Sequence, residues 1–397
     1  MIHKSNNKKV LVLMSGGVDS STTAALLCKK GYAVSGVYLK FYAGGDSCWA
    51  NEMKDAGRVA AKLHIPFQVW DVTKEYKKRV LKNFYSEYSA GRTPNPDVLC
   101  NSEIKFGIAL DKAMKLGYDY VATGHYARVH NPSQPPLNLR GGDELKQFPP
   151  LKVRGGQGEL CYLYTGVDKK KDQSYFLWRL TQKQLAHTLF PIGGYTKTRV
   201  RKMAKEFGLH NAEKKDSQGV CFLGKINLKE FLSSAPSLRD GTPSLSDGAI
   251  VDVHGKTLGR HSGLAQFTIG QRHGGNITDG QGPYFVIAKD IKKNALIVAN
   301  EQDEKNYRAV SCTIKGGNWL NMKKNNLKAR VRYRGELYKV KINGKIIKFQ
   351  TPVRAVAAGQ SIVFYDGDRV VGGGIIDKVK LVSSRMSESS RILPNNS

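Results

Sequence analysis

Over the first 125 residues, strand-length apolar runs alternate with segments whose apolar positions recur at helical spacing. Val10-Leu11-Val12-Leu13 is continuously apolar, as a strand buried on both faces should be, and it leads directly into Ser15-Gly16-Gly17-Val18-Asp19-Ser20. The spacing then predicts a helix over 18–30, with Val18, Ala25 and Leu26 on one face and Lys29-Lys30-Gly31 as its stop. A strand follows in "AVSGVYLK". A second helix in "MKDAGRVAAKLH" sets Ala56, Val59, Ala60 and Leu63 on one face, and "IPFQVWDV" is the next strand. A third helix after Asn101 repeats the spacing at Phe106, Leu110, Ala113 and Met114, and "DYVAT" ends at Gly124-His125. Such alternation predicts an α/β fold: a doubly wound parallel sheet with right-handed crossovers and ligands at the strands' carboxyl ends.

Between His130 and Glu159 the chain is rich in proline and glycine and follows neither period, so an exposed excursion is expected. Helical spacing returns in "TQKQLAHTLF" and "TKTRVRKMAKEFG" and ceases near Leu232; beyond it come short strands with glycine turns. The expected division is a first domain over 1–228, a small central domain over 229–303, a C-terminal β-barrel over 304–383 and a disordered tail over 384–397. In "KARVRYR", Lys328, Arg330, Arg332 and Arg334 alternate with Ala329, Val331 and Tyr333, so a strand there sets four cations on one face. That face is either a solvated edge kept from aggregating by its charge or a surface for phosphates.

Charge favours the second reading. With 63 Lys and Arg against 33 Asp and Glu, the formal net charge is +30, a field that draws polyanions, nucleic acid foremost. A length of 397 residues suits two or three domains. No apolar run reaches the roughly 18–20 residues of a membrane helix. The six cysteines are scattered without a C-x-x-C pair, which indicates neither a zinc site nor a disulfide framework and fits a reducing compartment.

The loop after the first strand has the small residues and helix start of a phosphate site, yet no lysine follows its glycines as in G-x-x-x-x-G-K-[ST]. Amides and the helix dipole can hold phosphates without one, leaving the α-phosphorus open to attack, which suits adenylation with loss of pyrophosphate. Two cysteines stand out. Cys100 follows the rigid run Pro94-Asn95-Pro96-Asp97 at a helix start, where a thiolate is stabilised, although a free cysteine also serves as a small buried hydrophobe. Cys221, in "KKDSQGVCFLG", has Lys214 and Lys215 nearby.

The run S-G-G-x-D-S resembles the signature of the PP-loop ATP pyrophosphatases (adenine nucleotide alpha hydrolase-like). Together with "GRTPNPD.LCN", "ATGHYAR", "KKKDQSYFL" and "KKDSQG.CF", in that order, the chain from about Val10 to Lys378 resembles the tRNA-specific 2-thiouridylases, the MnmA family. The resemblance implies an enzyme that adenylates the 2-carbonyl oxygen of the wobble uridine of tRNA and exchanges it for sulfur. It implies that Leu13, Met14, Ser15, Gly16, Gly17, Val18, Asp19 and Ser20 hold ATP, taken up with Mg2+, and that Leu39 and Gly124 line the adenine and ribose pocket. Leu39 stands where the family often has methionine, a swap close in volume. Cys221 is implied to carry a persulfide, Cys100 to be its partner nucleophile, and Asp97 to act as general acid or base.

Contacts with tRNA are implied for Asn95, Pro96 and Asp97 at the target base, and for His125, Lys171, Asp172, Gln173, Arg332, Tyr333 and Gln360 elsewhere. The implied partners are wobble-uridine tRNAs of the Lys, Glu and Gln type and a persulfide-donating sulfur carrier or cysteine desulfurase, with no membrane, no protein-bound metal and a monomeric state. A bacterial cytoplasm is expected rather than the mitochondrial matrix, since no presequence is apparent. A ligase of the argininosuccinate or lysidine synthetase type would share the loop but have no use for Cys100 and Cys221. An RNA-binding protein without catalysis would need only the basic residues.

Overall fold

The computed structural model describes residues 6–41, 48–131, 160–215, 228–233, 246–273, 277, 280, 282–320 and 326–382. Cys221, nearly all of the excursion and the C-terminal tail lie outside the described residues.

The first strand, β1 (Asn6–Leu13), runs into the helix α1 (Val18–Lys29). After it come β2 (Tyr32–Lys40), the helix α2 (Cys48–Lys62), β3 (Phe67–Asp71), β4 (Tyr120–Ala122), the hairpin strands β5 (Ala127–His130) and β6 (Tyr162–Thr165), and β7 (Thr188–Leu189). Five of these strands form a parallel sheet in the order β3-β2-β1-β4-β7, with β1 at its centre. Residues 10–13 are between 0 and 7% exposed, and their pleat sends them to two cores. Val10 and Val12 join Ala24, Ala25 and Leu27 of α1 with Ala56, Val59 and Ala60 of α2. Leu11 and Leu13 join Phe106, Leu110 and Ala113 on the other side. Helices on both faces are therefore the physical cause of the continuous apolar run, and the doubly wound expectation holds.

A central sheet in the order β10-β11-β12-β8-β9 is built from β8 (Gly248–Asp252), β9 (Thr257–His261), β10 (Arg272–His273), β11 (Tyr284–Asp290) and β12 (Ala295–Ala299). The last part comprises β13 (Ala309–Trp319), β14 (Lys328–Arg330), β15 (Tyr338–Asn343), β16 (Ile346–Val353), β17 (Ser361–Asp366) and β18 (Arg369–Leu381). These six run antiparallel as β13-β16-β15-β14-β17-β18, and β13 pairs with β18 to close the barrel.

One feature of the barrel is not visible in the periodicity. β18 also pairs with β6, so the β5–β6 hairpin of the first part extends the barrel's own sheet. The joint is reinforced by buried contacts. Tyr175 donates from its hydroxyl to Ser361 O at 2.7 Å, and Asn318 Nδ2 donates to Trp178 O and Leu180 O at 2.7 and 2.9 Å.

The basic run near 330 differs from expectation. Strand pairing ends at Arg330, residues 331–334 form a turn, and Arg334 has φ +58, so the four cations do not share one strand face. Nor is β14 an edge, for it lies between β15 and β17. Arg330 turns inward to Asp172 at 3.3 Å and lies over the Tyr365 ring, leaving Lys328, Arg332 and Arg334 exposed.

Candidate active site

The carboxyl ends of β1, β2 and β4 converge on the loop 15–20. Gly16 has φ +72, and a Cβ there would lie 2.2 Å from the carbonyl oxygen of Glu52 on α2, so only glycine fits. Gly124, after β4, approaches so closely that a Cβ would sit 2.7 Å from Ser20 N. Leu39 is buried near the end of β2, beside β1. No side chain caps α1 at Gly17, which leaves the first-turn amides for a ligand. Ser20 instead turns back, its Oγ accepting from Ser15 N at 3.1 Å and bonding Gly17 O at 3.2 Å.

Two lysines reach the loop from far along the chain. Lys197, at the start of the helix Lys197–Glu206, places Nζ 2.8 Å from both carboxylate oxygens of Asp19, while the Tyr126 hydroxyl donates to Asp19 Oδ1 at 2.9 Å. Lys214 donates to Gly16 O at 3.4 Å and to Asp55 at 2.8 Å. Asn211 Nδ2 bonds Gly16 O and Ser21 Oγ, and its buried Oδ1 has no partner. An uncapped helix start with Lys214 beside it supplies donors that fit the phosphates of a nucleotide, and the unused Asn211 Oδ1 can accept only from a donor such as a hydroxyl, not from phosphate. Among these residues, Lys214 stands in the sequence as a neighbour of Cys221 and Tyr126 lies within "ATGHYAR", whereas Lys197 and Asn211 carry no local signal.

Cys100 is 1% exposed and opens a π-helical segment, Cys100–Ile108, inside the continuous helix over 96–115. Such widened turns recur at functional sites. Phe106 of that segment packs on His125, ring centroids 6.1 Å apart, next to Gly124, so the cysteine-bearing helix and the phosphate loop share a wall. Asn95, Pro96 and Asp97 form the entry to this helix, with Asp97 in its first turn.

The residues implied for tRNA divide by exposure. Arg332 is exposed, while Lys171 and Gln173 are half-buried, with Gln173 accepting from Tyr126 N at 3.0 Å. Tyr333 packs against Phe176, centroids 4.5 Å apart. Asp172 is 3% exposed, and its carboxylate accepts from Gly166 N, Ser174 N, Ser174 Oγ and Arg330, so it braces the barrel joint. Gln360 points at the loop before Asn95, its Nε2 donating to Thr93 O at 3.0 Å and Pro94 O at 3.3 Å.

His125 is also buried, with Nδ1 2.7 Å from Thr123 Oγ1. Burial, reinforced by the Lys105 ammonium, holds its imidazole well below the ordinary value of 6.5. The folded chain keeps it neutral while the unfolded chain protonates it. Its contribution is therefore intact above about pH 6.5 and falls as pH drops, by about 1.4 kcal/mol per pH unit. We expect His125→Gln to remove one proton's worth of that acid slope in denaturant unfolding. A slope equal to that of the parent chain would refute the assignment.

Among the described residues no group of three or more His, Cys, Asp or Glu could hold a metal ion, and no helix is long and apolar enough to cross a membrane. Family models match in order: the tRNA methyl transferase HUP domain over residues 8–225, the tRNA methyl transferase PRC-barrel domain over 238–300 and the aminomethyltransferase beta-barrel domain over 310–376. The tRNA-specific 2-thiouridylase MnmA of Lysinibacillus sphaericus is 42% identical over 384 residues, 94% of each chain. That of Streptococcus mutans is 42% identical over 386 residues, 93% of this chain and 95% of the relative. Likeness to solved structures is slight: a 4-thiouridine synthetase–RNA complex with bound ATP aligns at TM-score 0.32 and 18% identity, over 54% of this chain and 45% of that one. With 42% identity along nearly its whole length and three domain models matched in sequence, the chain belongs to the tRNA-specific 2-thiouridylase family.

Proposed function

We propose that the chain is a tRNA-uridine 2-sulfurtransferase that uses ATP to activate the 2-carbonyl oxygen of the wobble uridine and replaces it with persulfide sulfur. The observation that carries this reading is the shared wall: the helix of Cys100 packs through Phe106 on His125, and the adjoining Gly124 lies against Asp19 and Ser20 of the uncapped loop. A ligase of the same loop type has no need of a cysteine there.

In this reading the amides of 16–20, with Lys214, hold the triphosphate, and Lys197 fixes Asp19. ATP, taken up with Mg2+, supplies the adenylyl group that turns the uridine oxygen into a leaving group, with pyrophosphate as the other product. Asp97 serves the ring as general acid or base, and Asn95 to Asp97 receive the base once it has left its stack. The terminal sulfur of a Cys221 persulfide attacks carbon 2 directly, or Cys100 first releases it as hydrosulfide. On either route AMP departs, the thiocarbonyl forms, and a Cys100–Cys221 disulfide remains for an external reductant. The sulfur comes from a carrier or a cysteine desulfurase. The substrates are tRNAs of the Lys, Glu and Gln type, and the enzyme acts as a cytoplasmic monomer. Residues 1–228 provide the chemistry, and 304–383 hold the RNA, with 229–303 between them.

The test is pyrophosphate release by the purified chain with and without bulk unmodified tRNA. Strong dependence on tRNA supports the reading, and equal release in both would sink it. For the RNA surface, Arg332→Ala is expected to weaken tRNA binding and to lower the slope of log affinity against log salt by about one unit. Unaltered affinity at moderate salt would mean that Arg332 is only a solvated cation.

A further inference from the structure

The helix that carries Asp97 and Cys100 begins without a side-chain cap at Asn95, so the loop before it must be held from elsewhere. Three grips are present, two of them from outside the first domain. The barrel loop between β16 and β17 supplies one: Gln360 Nε2 spends both hydrogens on Thr93 O and Pro94 O, at 3.0 and 3.3 Å, and Thr93 N donates to Ala358 O at 3.1 Å. Gly359, at φ +90, lets the two backbones meet; a Cβ there would lie 2.9 Å from Thr93 O. The central domain supplies another, since Ile291 Cδ1 lies 2.6 Å from where a Cβ of Gly91 would stand. Within the first domain, Arg92 is clamped by Glu87 through two bonds of 2.7 Å, and Lys315 of β13 comes to 3.7 Å from the same carboxylate. The Arg92 hydrogen bonds hold the Glu87 carboxyl below its ordinary value of 4.5, so the clamp is ionic at neutral pH.

We propose that the 357–360 loop of the barrel is the positioning element for the Asn95–Cys100 segment, with Gln360 as its positioning residue and Arg92–Glu87 as the anchor at the other end. The proposal rests on the thiolation reading and assigns Gln360 a task other than the RNA contact implied by resemblance. Barrel and catalytic loop form one mechanical unit, so RNA seated on the barrel meets a loop already set at the height its base requires. Loss of the strut leaves the RNA surface intact and lets Asp97 and Cys100 drift from the reacting ring. Small displacements of that kind cost turnover rather than binding.

The experiment uses the full-length chain and two variants: Gln360→Leu, which keeps volume without donors, and Gln360→Glu, which sets a carboxylate against two carbonyl oxygens. For thiolation of a single unmodified tRNA, kcat is expected to fall about 10- to 100-fold. KM and tRNA affinity should stay within about twofold of the parent. Amide exchange across 91–100 in the free protein should quicken, Thr93 N included. A raised KM with unchanged kcat and unchanged exchange would overturn the proposal and return Gln360 to direct RNA contact. Should the parent chain form no thiouridine at all, the thiolation reading fails by itself, and unchanged exchange in the variants would still overturn the strut.

Discussion

Gly16→Ala is expected to weaken ATP binding by about 10- to 100-fold, the equivalent of roughly 1–3 kcal/mol of backbone strain. Gly17→Ala, one residue on, should leave it within about twofold. The two glycines look alike in S-G-G-x-D-S but do different things. Gly16 sits at φ +72 with the Glu52 carbonyl oxygen 2.2 Å from the place a Cβ would take, and that neighbour is backbone of α2, which cannot swing aside. A methyl group must push the loop off α2 and tilt the first-turn amides proposed to meet the phosphates. Gly17 has φ −87, and its Cβ would meet only Ser15 Oγ at 3.5 Å, an ordinary contact. Calorimetric titration with ATP on both variants measures the contrast. Equal losses would show that the loop is a flexible strap rather than a shape set by α2.

Cys221→Ser and Cys100→Ser should each abolish thiouridine formation and differ in what they leave behind. With Cys221→Ser the loop 15–20 and Asp97 are untouched, so adenylation of tRNA continues, but no persulfide can be loaded. With Cys100→Ser the persulfide is still accepted on Cys221, because that transfer needs only the donor and the Cys221 thiolate, and the cycle stalls before or during sulfur release. The burial of Cys100 adds a condition: at 1% exposure its thiol is shielded from bulk reagents. Alkylation of Cys100 in the free enzyme should accordingly be slow. Mass spectrometry after loading with labelled sulfur separates the two steps. Label on Cys100 that proceeds to thiouridine in the Cys221→Ser variant would require the roles to be exchanged.

Much of the sheet was legible because a strand buried on both faces has to be apolar at every position, as 10–13 are, and because Ala56, Val59 and Ala60 repeat the helical spacing that α2 needs to cover it. The loop 15–20 and the cysteine-bearing helix were legible through local chemistry: glycines at a helix start, and proline before one. What stayed hidden depends on distant pairing. Lys197 and Asn211 reach the loop only through tertiary packing, and no spacing rule links them to Asp19 or Gly16. The hairpin strands β5 and β6 are four residues each and separated by the excursion, so nothing local tells that β6 joins β18. Alternation misled at 328–334 because period two also occurs by chance in a turn, and the inward ion pair of Arg330 with Asp172 is invisible without the partner.

The most direct measurement of the central claim is mass spectrometry of nucleosides from unmodified tRNA incubated with the purified chain, ATP with Mg2+ and a labelled persulfide donor. The expected result is labelled 2-thiouridine at the wobble position, formed only when ATP and the donor are both present, with AMP and pyrophosphate released in equal amounts. ATP consumed without sulfur entering the tRNA, or with nitrogen or an amino acid joined to it instead, would contradict the account.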